Sequence, residues 1–136
     1  MTTTKKQVYI EGIGRRKTAT ARVRLTPATK ATVIVNGKEL AAYFPHVSLQ
    51  GDVNAVFATK DLGVENYAVE AKVSGGGLSS QAEAIRLGIA RALVKENVTR
   101  RTPLKKQGFL KRDQRSVERK KPGLRKARKR PAWSKR

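Results

Sequence analysis

Residues 73–93 read "VSGGGLSSQAEAIRLGIARAL". An apolar run stops at Val73, three glycines follow, and then Ala82, Ile85, Ile89 and Leu93 recur at helical spacing with Arg86 on a different face. Ser80, with Glu83 three residues on, has the form of a capping box. A strand end, a glycine turn and a long one-sided helix are therefore expected in that order. Such a helix needs a sheet on which to bury its stripe.

The residues upstream can supply that sheet. "KTATARVRL" alternates, with Ala19, Ala21, Val23 and Leu25 on one face and Thr18, Thr20, Arg22 and Arg24 on the other, the period of a half-buried strand. "QVYIEGIG" is its expected partner, with the turn in "GRR" at residues 14–16. "ATVIVNG" reads as a third strand closed by Asn36-Gly37, and "ENYAVEAKV" as a fourth. Between these, "KELAAYF" and "DVNAVFATK" carry helix-favouring patterns, the first ended by Pro45. The expected order is β-β-β-α-α-β-α, an α+β domain with a helix on a small sheet. No internal repeat is found.

Charge divides the chain. Its 136 residues hold 31 Lys and Arg against 10 Asp and Glu, a net +21. Residues 1–98 have 14 basic and 8 acidic side chains; residues 99–136 have 17 basic and 2 acidic. Apolar residues run the other way, so residues 1–98 are expected to be a folded domain and residues 99–136 a basic tail that orders on meeting a polyanion. "PLKKQGFL" has Leu104, Phe109 and Leu110 to anchor a helical turn or two, and "RDQRSVERKK" could be helical. Nucleic acid is the first candidate partner. A membrane surface is disfavoured because the tail has no amphipathic apolar face. No stretch reaches transmembrane length, and "MTTTKKQVYIEG" lacks a signal-like core, which points to a cytosolic start. With no cysteine, disulfides and thiolate metal sites are excluded.

Catalysis has little material. His46 is the only histidine, no paired carboxylates stand out, and no metal or other cofactor is expected. Gly75, Gly76 and Gly77 before a helix start could cradle a phosphate, or could simply turn the chain sharply. "GGGLSS" resembles the nucleotide loop of the galactokinase and homoserine kinase superfamily, but nothing here supplies a second lobe or a magnesium carboxylate. "GIGRRKT" fails both the dinucleotide and the P-loop spacing. Its Arg15, Arg16 and Lys17, with Arg22 and Arg24 nearby, read instead as a basic cluster for a phosphate backbone. Trp133, isolated near the end, could stack on a base or ribose, or pack on another protein.

Five separated pieces, "GIGRRKTATARV", "VNGKEL", "GGGLSSQAEAIRLGIARAL", "RDQRSVERKKPGLRKARKRP" and the final "SKR", resemble the family of the ninth protein of the small ribosomal subunit, bacterial or organellar. That resemblance implies a four-stranded mixed sheet with helices on one face, in a left-handed βαβ arrangement like the second domain of the fifth small-subunit protein. It implies a non-enzymatic, cytoplasmic ribosomal component in the subunit head, beside neighbouring head proteins, with a long extended tail. It gives ribosomal RNA contacts to Arg15, Arg16, Lys17, Arg119, Lys120, Lys121, Arg125, Lys126, Arg128, Lys129 and Arg130, and the charge and glycine-loop patterns add Arg22, Arg24, Gly75, Gly76, Gly77, Arg112 and Arg115 as candidates. Ser134, Lys135 and Arg136 would reach the anticodon stem-loop of the peptidyl-site tRNA. The alternative is a free-standing nucleic-acid chaperone or packaging protein, which needs no specific terminus.

Overall fold

A computed structural model describes residues 8–63 and 66–136. The reading of "MTTTKKQ" as a cytosolic start, and Glu65 of the fourth expected strand, lie outside the described residues.

The alternating strand forms as its pattern dictates. Strand β1 (Ile10–Arg16) pairs antiparallel with β2 (Ala19–Pro27), and Ala19, Ala21, Val23 and Leu25 are all buried. Lys17 and Thr18, not the "GRR" segment, make the turn, because Arg16 already pairs with Ala19. Strand β3 (Thr32–Val35) turns at Asn36-Gly37, both at positive φ, into β4 (Lys38–Glu39), a two-residue edge beyond the four expected strands. Helix α1 (Leu40–Tyr43) ends before Pro45, and α2 (Val47–Asn54) follows. The second helix thus starts ahead of "DVNAVFATK", whose later residues form turns; Val53 and Val56, three apart, are buried across that junction. Strand β5 (Tyr67–Ser74) then runs parallel to β3 and antiparallel to β2, giving one mixed sheet in the order β1-β2-β5-β3-β4.

The long helix α3 (Leu78–Glu96) lies on the face of the sheet that carries the buried residues of β2. Ala82, Ile85, Ile89 and Leu93 are fully buried, each large one contributing about 1.5–3 kcal/mol of transfer free energy. The helix begins one turn earlier than the capping-box reading required. Gly77 occupies the N-cap and makes no side-chain cap, while Ser80 is already inside and buried. Contact with β1 is backbone on backbone: a Cβ on Gly14 would sit 1.7 Å from the Ala84 carbonyl oxygen, and one on Gly12 2.2 Å from that of Gly88. The "GIG" glycines therefore serve helix packing, not a turn.

Buried side chains continue beyond residue 98. After a single 3-10 turn (Val98–Arg100), α4 (Arg101–Lys106) places Leu104 in the core with no exposed surface, and Phe109 and Leu110 pack against it half-buried. Arg100 is buried as well. From Lys111 onward the chain has turns and bends at residues 122–128 but no helix or strand, so "RDQRSVERKK", which could be helical, is not helical in the free chain. Its cations every few residues give a helix no apolar face to bury.

Candidate nucleic-acid interface

The turn between β1 and β2 and the glycine loop before α3 come together in space. A Cβ on Gly75 would lie 2.5 Å from the Thr18 carbonyl oxygen, and one on Gly76 3.1 Å from the Ala19 side chain. Gly75 and Gly76 take φ of 77° and 61°, a region that favours glycine. A chain of side chains fixes this loop. Gln81 Nε2 donates to the Gly75 carbonyl (3.0 Å), its Oε1 accepts from the Tyr43 hydroxyl (2.7 Å), and Asn36 Nδ2 donates to that hydroxyl (3.3 Å). Asn36 also bonds both the N–H (2.9 Å) and the carbonyl (3.0 Å) of Val73, extending the ladder between β3 and β5. Arg15 and Lys17 are both exposed: Lys17 stands in the turn that meets Gly75, whereas Arg15, paired with Thr20, belongs to the open sheet face. A cation in a turn packed against a glycine loop that opens a helix suits an anion.

Arg16 is used differently. Its side chain is only 11% exposed, with Nε 2.5 Å from Glu83 Oε2 on α3 and Nη2 3.4 Å from Asp113 Oδ2 at the tail root. Arg22 and Arg24 sit on the opposite, helix-free face of the sheet. There Arg22 pairs with Glu11, and Arg24 stacks 4.7 Å from the centre of the Tyr9 ring. The hairpin cations thus divide between the turn, the tail root and the open sheet face.

The tail carries the remaining candidates. Arg112 lines an open cleft of about 410 Å³ with Arg86, Lys111 and Arg115. The sequence places Arg86 off the buried stripe of the helix but marks neither it nor Lys111 for binding. Arg86 stacks 5.6 Å from the centre of the Phe109 ring and lies 3.7 Å from Asp52, a placement that only the long-range packing of α3 on the tail root creates. Arg115 pairs with Asp113 at 2.9 Å, and Glu118 holds Lys121 and, at 3.0 Å, Arg128. Those partners hold the Asp113 and Glu118 carboxyls below their ordinary values, through hydrogen bonds from Arg115 and Lys121 respectively. Among the described residues, Arg119, Lys120, Arg125, Lys126, Lys129, Arg130, Lys135 and Arg136 have no acidic partner, and Arg119, Lys120, Arg125, Lys126, Lys129, Arg130, Lys135 and Arg136 are all exposed. Trp133 is 86% exposed, and Ser134 Oγ donates to the Arg136 carbonyl at 2.6 Å.

The sequence model of the family described as Ribosomal protein S9/S16 matches residues 14–136, from within β1 to the last residue. The chain belongs to the ribosomal protein S9 family. It is also 56% identical over 125 residues to the small ribosomal subunit protein uS9 of Renibacterium salmoninarum, covering 91% of this chain and 74% of that relative. Both the sheet domain and the basic tail fall inside the family match. An S9-family chain is a structural ribosomal protein and not an enzyme, and its α+β architecture agrees with the expected fold class. Among the described residues no helix is long and apolar enough to cross a membrane.

Proposed function

We propose that this S9-family chain is a structural constituent of the small ribosomal subunit that binds small-subunit ribosomal RNA and supports the peptidyl-site tRNA. One observation carries the reading. Beyond Arg115, every hydrogen bond and ion pair made by residues 116–136 stays within the tail, among the described residues, while its cations face outward. Such a segment is built to meet a polyanion elsewhere. Each phosphate it neutralises releases condensed counterions, and its arginines can bind phosphate bidentately. The domain contributes a second, smaller footprint where the Lys17 turn and the glycine loop meet. Neighbouring proteins of the subunit head are the protein partners of this reading, and the cytoplasmic ribosome is its location.

The tip has a separate task. Ser134, Lys135 and Arg136 are assigned to the anticodon stem-loop of the peptidyl-site tRNA, with Trp133 as a stacking platform just before them. Deleting Lys135 and Arg136 leaves incorporation into subunits nearly intact and weakens tRNA binding to the peptidyl site. Unchanged tRNA affinity in reconstituted subunits would remove the tip assignment. Deleting residues 112–136 lowers affinity for ribosomal RNA and flattens its salt dependence by roughly 0.7–0.9 per lost phosphate contact. An unaltered slope would overturn the tail reading.

A further inference from the structure

We propose that Arg16 is a positioning residue: with Glu83 and Asp113 it forms an ionic clasp that sets the direction in which the tail leaves the domain. Arg16 ends β1 with its side chain on the helix-facing side of the sheet. All three of its nitrogens are engaged. Nε donates to Glu83 Oε2 at 2.5 Å, Nη1 to the carbonyls of Asp113 (3.5 Å) and Arg115, and Nη2 approaches Asp113 Oδ2 at 3.4 Å. Asp113 Oδ1 in turn accepts the Arg115 backbone N–H at 2.9 Å, so residues 113–115 fold round the guanidinium.

The clasp closes at one strategic point. Just upstream, Phe109 and Leu110 hold the chain by apolar contact. Downstream, no hydrogen bond or ion pair among the described residues returns to the domain. Residues 113–115 are therefore the last fixed point before the reaching segment. A planar fork that satisfies two carboxylates and two carbonyls fixes orientation as a lysine's point charge cannot. Holding the root in advance removes part of the ordering cost that the tail would otherwise meet on binding. The inference deepens the proposed role of the tail, but its first measurement is made on the free protein and does not depend on that role.

Charge alone predicts the opposite sign. Glu83→Gln and Asp113→Asn each make the chain more positive, so a simple electrostatic picture has them strengthen polyanion binding. The clasp has them act like Arg16→Ala and loosen the root. The chain has no cysteine, so Thr20→Cys on the open sheet face and Ser116→Cys beyond the clasp allow a single pair of spin labels. Electron-electron distance measurements on the full chain should give a narrow distribution. Arg16→Ala, Glu83→Gln and Asp113→Asn should each broaden it, and Arg16→Lys should recover it only in part. Unchanged distributions in the three variants overturn the proposal. Asp113→Asn touches no core residue, so it keeps the test valid if Arg16→Ala fails to fold. In a second measurement, salt-dependent binding to small-subunit ribosomal RNA, Asp113→Asn should weaken affinity about three- to tenfold at an unchanged salt slope. Tighter binding by Asp113→Asn, with a slope lowered by roughly 0.7–0.9 in Arg16→Ala, would make Arg16 a phosphate ligand and overturn the clasp.

Discussion

Arg100 and Arg130 carry the same charge and use it in opposite ways. Arg100 is buried in the 3-10 turn after α3, where its guanidinium donates to the Leu62 carbonyl (3.1 Å), the Gly63 carbonyl (3.2 Å), the Tyr67 hydroxyl (3.1 Å) and the Glu96 carboxylate (2.6 Å). Burial, and the Glu96 carboxylate that accepts from the same hydroxyl, push the Tyr67 phenol up despite the nearby guanidinium. Arg130 is exposed and has no such partner among the described residues. The domain satisfies Arg16 and Arg100 internally and gains a fixed shape. The tail leaves most of its cations unsatisfied and gains a capacity to bind. Counting charge along the sequence cannot tell the two uses apart.

The largest effect should come from breaking the buried network. Arg100→Met removes the partner of Glu96 and leaves the Leu62 and Gly63 carbonyls without a donor. A loss of about 3–5 kcal/mol is expected, because several acceptors lose one buried donor at once and each unsatisfied buried group costs about 1–3 kcal/mol. Chemical denaturation should show the shifted midpoint, whereas Arg130→Met should leave the midpoint where it is. Equal effects from the two substitutions would erase the distinction between the regions. Leu104→Ala asks the same question of the boundary and should cost about 2–5 kcal/mol, because the side chain has no exposed surface. A negligible shift in melting temperature would return residues 99–110 to the tail.

Much of the sheet was legible because period two survives any tertiary context. Ala19, Ala21, Val23 and Leu25 face inward as their alternation requires, and the stripe of Ala82, Ile85, Ile89 and Leu93 behaves likewise. What stayed hidden depends on partners far away in sequence. Arg16 meets Glu83 and Asp113 only after α3 and the tail root have docked on β1. Arg100 was counted among the tail cations because nothing local marks it as buried. Ser80 and Glu83 had the spacing of a cap, but Gly77 lets the helix start sooner, and Glu83 serves Arg16 instead.

A smaller effect tests how closely the domain is drawn together. Gly14→Ala puts a methyl group against the Ala84 backbone, which can yield only by moving α3 off β1. Overpacking of this kind costs about 1–3 kcal/mol. The shift should be visible in the exchange rates of α3 amides. Alanine at Gly123, which has φ of 78° but open space around it, should instead disturb only the local turn in the tail. If both substitutions lowered the melting temperature equally, the tail would share the domain's cooperativity.

The smallest effect lies where the two regions join. Asp113 is held well below the usual carboxylate range, first by the Arg115 side chain, then by the Arg115 backbone N–H, with the charge of Arg16 adding to them. Its folded value lies below its unfolded one, so its contribution to root order is complete above the ordinary aspartate value of about 3.9. It should decline as pH falls below that value and vanish only once the depressed folded value has been passed. Carboxyl carbon shifts measured during an acid titration should find Asp113 still ionised where a free aspartate is half protonated. Arg115→Ala should bring the transition back toward the ordinary value, since it removes the principal cause. Added salt should do the same in part, because the Arg115 side chain is largely exposed and its attraction is screened. A titration at the ordinary value in the intact chain would mean that the root, like the residues beyond it, waits for its partner to be ordered.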